Sequence, residues 1–190
     1  MMTPTSRWQP HTCFLRSALP AGLSGWLLDT ASLTRRLQTL CPGQFEVRVL
    51  AQHRARPARH EALVLGMRQG TRALIREVHL LCSGTPWVYA RTVIPCSSLR
   101  GRLKRLEHLG TRPLGAVLFA DPGMRRGVVE LSCIRPGEAL HRAANAGGWT
   151  RRPVWGRRSV FTLAHHPLLV SEIFLPEFPA GDPGAVTKCR

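Results

Sequence analysis

Lysine is almost missing from this sequence: Lys104 and Lys188 are two of 27 basic residues, against only 11 acidic ones, for a net charge of +16. Such a surplus favours phosphate binding through counterion release. The arginines are scattered, however, in pairs such as Arg35-Arg36, Arg125-Arg126 and Arg157-Arg158. No zinc-finger spacing, RNA-binding aromatic signature or basic zipper accompanies them. No specific nucleic-acid partner is therefore expected, and the charge serves to attract small anionic ligands. No apolar run approaches the length of a membrane-spanning helix. The first 20 residues include Arg7, Gln9, His11 and Arg16 and lack an apolar signal core, so a cytoplasmic protein is expected. The six cysteines form no Cys-x-x-Cys pair and flank no histidine cluster; the sequence predicts reduced thiols and no metal site. His165-His166, followed by Pro167, reads as a turn. Gly-x-Gly-x-x-Gly and Walker motifs are absent, which points to chemistry without a cofactor. No internal repeat occurs.

What is present suffices for one domain with a real core: 44% of 190 residues are apolar. Residues 1–20 read as a loosely ordered lead-in, residues 21–178 as the domain, and 179–190, with Pro179, Gly181, Pro183 and Gly184, as a frayed tail. Helical spacing of Leu23, Trp26, Leu27, Leu37 and Leu40 is interrupted at Asp29–Ser32, which predicts two short helices with Ser32 capping the second. Strands are expected at Phe45–Gln52, Ala73–Cys82, Trp87–Pro95, Gly127–Ile134, Ser159–Ala164 and Leu168–Leu175, with a polar connection over Arg54–Glu61. A second helix pair is predicted at Leu99–Leu109 and Leu114–Phe119, split by Gly110–Pro113, and a further helix at Glu138–Ala146. Hairpins dominate, so the fold class is α+β with helices against an antiparallel sheet.

Strand parity exposes two misplaced charges. Leu74, Arg76, Val78 and Leu80 share one face, and Leu168, Val170, Glu172 and Phe174 share another. An unpaired buried charge costs several kcal/mol, so each needs a partner or a wet cavity. Arg91, on a face with Trp87, Tyr89 and Val93, raises the same question. Two explanations stand. Arg76 and Glu172 pair with each other, or with Glu77 or Arg91, in a structural network; or they line a cavity in which the arginine receives a carboxylate and the glutamate faces the reacting end of a ligand. Leu33 and Leu114 open predicted helices, where first-turn N–H groups lack intrahelical partners and suit an anion. Ordinary core leucines would look the same.

Taken in order, several segments resemble the chorismate pyruvate-lyase family. They are Trp26-Leu27-Leu28, Leu33-Thr34-Arg35-Arg36, Leu74-Ile75-Arg76-Glu77, Gly84-Thr85-Pro86-Trp87 and Ala90-Arg91-Thr92-Val93-Ile94-Pro95. Pro113–Phe119, Trp155-Gly156-Arg157-Arg158-Ser159 and Pro167–Pro176 complete the series. The resemblance covers nearly everything from Leu23 to Pro176 and implies a six-stranded antiparallel sheet with helix-turn-helix flaps over an enclosed ligand pocket. It implies conversion of chorismate to 4-hydroxybenzoate and pyruvate for ubiquinone biosynthesis, with no metal or cofactor; a monomer is expected. Arg76 would clamp the ring carboxylate with help from the backbone N–H groups of Leu33 and Leu114, and Glu172 would face the oxygen-bearing end. Relative to the family, the connection over residues 135–155 is expanded. UTRA sensor domains of bacterial regulators resemble the same fold, so a non-catalytic ligand sensor is the alternative expectation.

Overall fold

The computed structural model describes residues 6–146, 148 and 150–179. Its centre is one antiparallel sheet of six main strands: β2 (Phe45–Ala55), β3 (Ala73–Cys82), β4 (Thr85–Pro95), β6 (Glu130–Ile134), β7 (Val154–Leu163) and β8 (His166–Phe174). The spatial order is β6-β7-β8-β4-β3-β2. Two-residue strands enlarge the sheet to eight, β1 (Gln9–Pro10) pairing with β6 and β5 (Arg125–Arg126) with β7. The six expected strands thus gain two short edge pieces. Residues 6–20 are also more structured than a loose lead-in. Besides β1, they bury Leu19, and the Ser6 hydroxyl donates to Glu138 at 2.5 Å. Only Pro179 of the predicted frayed tail falls within the described residues.

Two hairpin turns have backbone angles that few side chains favour. Ser83 and Gly84 sit at φ 50° and 78°, and Ala164 and His165 at 47° and 64°. Two consecutive positive φ values match the right-handed twist of paired strands, and Ser-Gly suits such a turn because glycine accepts positive φ without steric cost. The second loop falls one residue earlier than His165-His166-Pro167 suggests.

Both faces of the sheet are covered. On one lie α1 (Ala21–Leu27), α2 (Leu33–Leu40) and α4 (Leu114–Phe119), joined to β4 by 3₁₀ turns. Ser32 caps α2, its Oγ accepting from the Arg35 N–H at 3.4 Å. The predicted helix at Leu99–Leu109 is instead a 3₁₀ segment, Gly101–His108. Its apolar spacing explains this: Leu103, Leu106 and Leu109 recur every third residue and are at most 2% exposed, a period that aligns on one ridge at three residues per turn. On the other face lie α3 (Arg59–Val64), whose first residues fall at the end of the expected polar connection Arg54–Glu61, and α5 (Ala139–Ala144), inside the expanded segment. Ala144 packs there with Tyr89, Ile134 and Val154, so part of the expansion builds core.

Arg91 also lies on this second face, and there the structural explanation holds. Its guanidinium donates to Glu61 of α3 at 2.8 and 3.1 Å and to Glu77 at 2.5 Å, while the Tyr89 hydroxyl donates to Glu77. Burial pushes the Glu61 carboxyl up, but the Arg91 hydrogen bonds and charge and the Ala58 N–H outweigh it and hold the group below 4.5. A depressed carboxyl stabilises the fold above its unfolded value, and that contribution fades as pH falls through the folded one. Glu61→Ala should cost about 1–3 kcal/mol near pH 7, because it removes two of the three carboxylate bonds of Arg91 and leaves only Glu77. It should also flatten the acid limb below pH 4.5. Urea unfolding at both pH values checks this; an unchanged acid slope would contradict it.

The thiols differ from expectation. Cys41, at the C-cap of α2, and Cys82, at the end of β3, form a disulfide with Cα atoms 5.9 Å apart. Sequence separation hid the pair: they lie 41 positions apart, and only the β2–β3 register, which sets Phe45 opposite Cys82, brings them together. Cys13 and Cys96 are free.

Candidate active site

Between the sheet and the helices α2 and α4 lies a cavity, about 600 Å³ of open space when its mouth is included. Leu33, Arg76, Leu114 and Glu172 all line it. The sheet register explains the last step of that convergence. Arg76 pairs with Thr92, which pairs with Val170; Val78 pairs with Ala90, which pairs with Glu172. Arg76 and Glu172 therefore stand on one face, on the two strands that flank β4, in adjacent same-face rows.

They are not bonded to each other. Arg76 is 3% exposed and donates from Nη1 to Gln52 Oε1 at 3.0 Å and from Nη2 to the Gly110 carbonyl at 2.8 Å. Both acceptors are neutral. Among the described residues no carboxylate pairs with it, and burial lowers its pKa. Glu172, which also lines the cavity, accepts instead from Arg157 Nε at 2.6 Å through Oε2.

Arg157 is the site residue that sequence reasoning missed. It is 1% exposed, and its Nη1 donates to the carbonyls of Trp26 and Asp29, both at 2.6 Å. One side chain thereby ties the α1–α2 loop to β7 and orients Glu172. The signal existed: Trp155, Arg157, Ser159 and Phe161 alternate on one strand face, but the predicted strand started at Ser159, after the arginine had passed. Arg126 on β5 also lines the cavity. Three guanidiniums against one carboxylate leave the walls with a surplus of two positive charges, suited to a dianion.

Leu33 and Leu114 bring the first turns of α2 and α4 to the same space. Neither backbone N–H has a partner among the described residues, as expected of a first helical position. The helices meet closely there: a Cβ on Gly115 would stand 3.0 Å from Thr34 Oγ1 and 3.4 Å from Ser32 Oγ. Among the described residues no group of three or more His, Cys, Asp or Glu is placed to hold a metal ion. No helix there is long and apolar enough to cross a membrane.

Residues 2–179 match the family model for chorismate lyase. The probable chorismate pyruvate-lyase of Methylococcus capsulatus is 45% identical over 154 residues, covering 81% of this chain and 94% of that protein. The protein of the same description from Aromatoleum aromaticum is 45% identical over 164 residues, covering 85% and 88%. Among solved structures, a GntR-family transcriptional regulator from Bacillus cereus superposes with a TM-score of 0.53 at 16% identity, over 71% of this chain and 94% of that one. The effector domain of PhnF from Mycobacterium smegmatis gives 0.50 at 17% identity, over 77% and 90%. The regulators share the fold; the family is decided by the sequence match over nearly the whole length. The chain belongs to the chorismate lyase family.

Proposed function

We propose that this chain is a chorismate pyruvate-lyase, releasing pyruvate from chorismate and leaving 4-hydroxybenzoate, the step that opens ubiquinone biosynthesis. The observation that carries this reading is Arg76: a buried guanidinium facing a cavity with neutral partners only. Such a group destabilises an empty protein and is repaid when a carboxylate arrives. The ring carboxylate of the substrate takes that place, bridged by the N–H groups of Leu33 and Leu114. Glu172 then faces the opposite, oxygen-bearing end.

The chemistry asks for little more. The ring loses its enolpyruvyl ether by C–O cleavage and the proton of its carbinol carbon, the ring becomes aromatic, and the departing enol becomes pyruvate. With so favourable a product, holding the dianion in a reactive pose by fixed donors supplies much of the rate. Glu172, held in place by Arg157, accepts the ring proton or fixes the hydroxyl while the proton passes to the departing enol.

Purified protein with chorismate and a chelator is the direct test. Equal accumulation of 4-hydroxybenzoate and pyruvate above the spontaneous background supports the lyase. Binding without turnover would favour a ligand sensor, the use to which the shared fold of the GntR-family regulators points.

The contact between the two helix N-termini gives a second test. Gly115→Val adds bulk where even one carbon meets Thr34 and Ser32, so α2 and α4 must separate. Both backbone donors then shift, and affinity for 4-hydroxybenzoate should drop roughly ten- to hundred-fold. Titration calorimetry reads the change; wild-type affinity would show that the donors at Leu33 and Leu114 do not act.

A further inference from the structure

Arg126 has an arrangement that the reading above does not use. It pairs through its backbone with Phe161 of β7, and its guanidinium carbon lies 5.2 Å from the centre of the Phe161 ring. Nε donates to Ser159 Oγ at 3.0 Å, and Nη1 donates to the carbonyls of Thr30 at 2.9 Å and Asp29 at 3.4 Å. All these acceptors are neutral. Among the described residues Nη2 has no acceptor and no carboxylate pairs with the side chain, although the group lines the cavity. Arg157 differs, being neutralised by Glu172. Two of the three cavity guanidiniums therefore lack an anion, Arg76 on β3 and Arg126 beside β7.

Their separation fits one ligand with two carboxylates. From β3 to β5, which carries Arg126, the sheet takes four steps, through β4, β8 and β7, which places the strands about 19 Å apart at the usual spacing. Two arginines reaching inward across that distance leave room for a small ring and its side chain between them. Glu172 stands on β8, between the two in sheet order.

We propose that Arg126 is a second substrate-binding arginine, receiving the enolpyruvyl carboxylate of the substrate while Arg76 receives the ring carboxylate. This rests on the lyase reading and extends it. The bond that breaks then lies between two anchored ends, with Glu172 alongside. Bonds from Arg126 to the Asp29 and Thr30 carbonyls couple occupancy of this subsite to the α1–α2 loop.

Arg126→Met and Arg126→Lys, assayed with chorismate and titrated with 4-hydroxybenzoate, test the assignment. The product carries a single carboxylate, which goes to Arg76. In Arg126→Met, kcat/KM for chorismate should fall about 30-fold or more, while 4-hydroxybenzoate affinity stays within about twofold. That retained affinity also shows an intact fold. Arg126→Lys, which keeps the charge but not the fork, should fall between the two. Equal weakening toward both ligands would reduce Arg126 to a brace for the loop, and wild-type kcat/KM in Arg126→Met would also overturn the proposal. Wild-type protein that leaves chorismate intact would instead remove the lyase reading, and this subsite with it.

Discussion

Arg76→Met should lose its ligand and keep its fold. The wild-type guanidinium is desolvated and bonded only to Gln52 Oε1 and the Gly110 carbonyl, so its charge gains no ion pair inside the protein. A methionine fills similar volume, removes the buried charge and leaves two acceptors to rearrange, one of them the flexible Gln52 amide. Exchanges of buried ionic groups for apolar ones of similar size are often neutral or stabilising. The urea midpoint is therefore expected at or above that of the wild type. Affinity for 4-hydroxybenzoate should fall by about 2–4 kcal/mol, roughly 30- to 1,000-fold, the contribution of a charge-assisted bidentate contact. Opposite movement of the two quantities marks a residue kept for binding at a cost to stability. Unchanged product affinity would refute the clamp, and a large drop in midpoint would make Arg76 structural.

The same side chain shows what a sequence can reveal. Parity alone placed Arg76 and Glu172 on apolar faces, because side chains alternate strictly along a strand whatever the neighbouring strands do. Parity could not decide the partner. Arg91 obeyed the same rule and turned out to be saturated by Glu61 and Glu77, because the covering helix α3 carries a carboxylate to it. The helix boundaries at Ser32–Leu33 and Pro113–Leu114 were legible as well, since capping and first-turn preferences are local. Arg157 and Arg126 were not. Arg157 lies just before the start of its predicted strand, Arg126 owes its position to a two-residue pairing with β7, and each belongs to a doublet in a chain full of arginine doublets, where composition gives no contrast. The disulfide is another long-range product of register.

These arginines also do two jobs at once. Arg157 and Arg126 bond the α1–α2 loop, and Arg76 bonds Gly110, just ahead of α4. Arg36 adds to the first loop from within, stacking 3.5 Å from the Trp26 ring centre and pairing with Asp29 at 3.0 Å. Helices that close the cavity are thus fastened by the side chains that form its floor.

Glu172→Gln should lower kcat by roughly 100-fold or more if the carboxylate takes the ring proton, the usual scale of a positioned base. Glutamine has the same shape, and its amide oxygen can still accept from Arg157 Nε, so the fold and the loop bonds of Arg157 are expected to survive. What changes is charge and basicity: the cavity gains a full positive charge, and the facing group can no longer hold a proton. Extra positive charge should strengthen binding of an anionic product, so 4-hydroxybenzoate affinity is expected to rise or stay level while turnover falls. That split separates a role in the chemical step from one in binding. Arg157→Lys supplies the companion test, because it keeps a cation beside Glu172 but cannot donate to Glu172, Trp26 and Asp29 together. It should reduce kcat less than Glu172→Gln does, by loosening the carboxylate without removing it. Near-normal turnover in Glu172→Gln would exclude proton abstraction by this residue and leave transfer within the substrate itself, with Glu172 as an anchor for the hydroxyl.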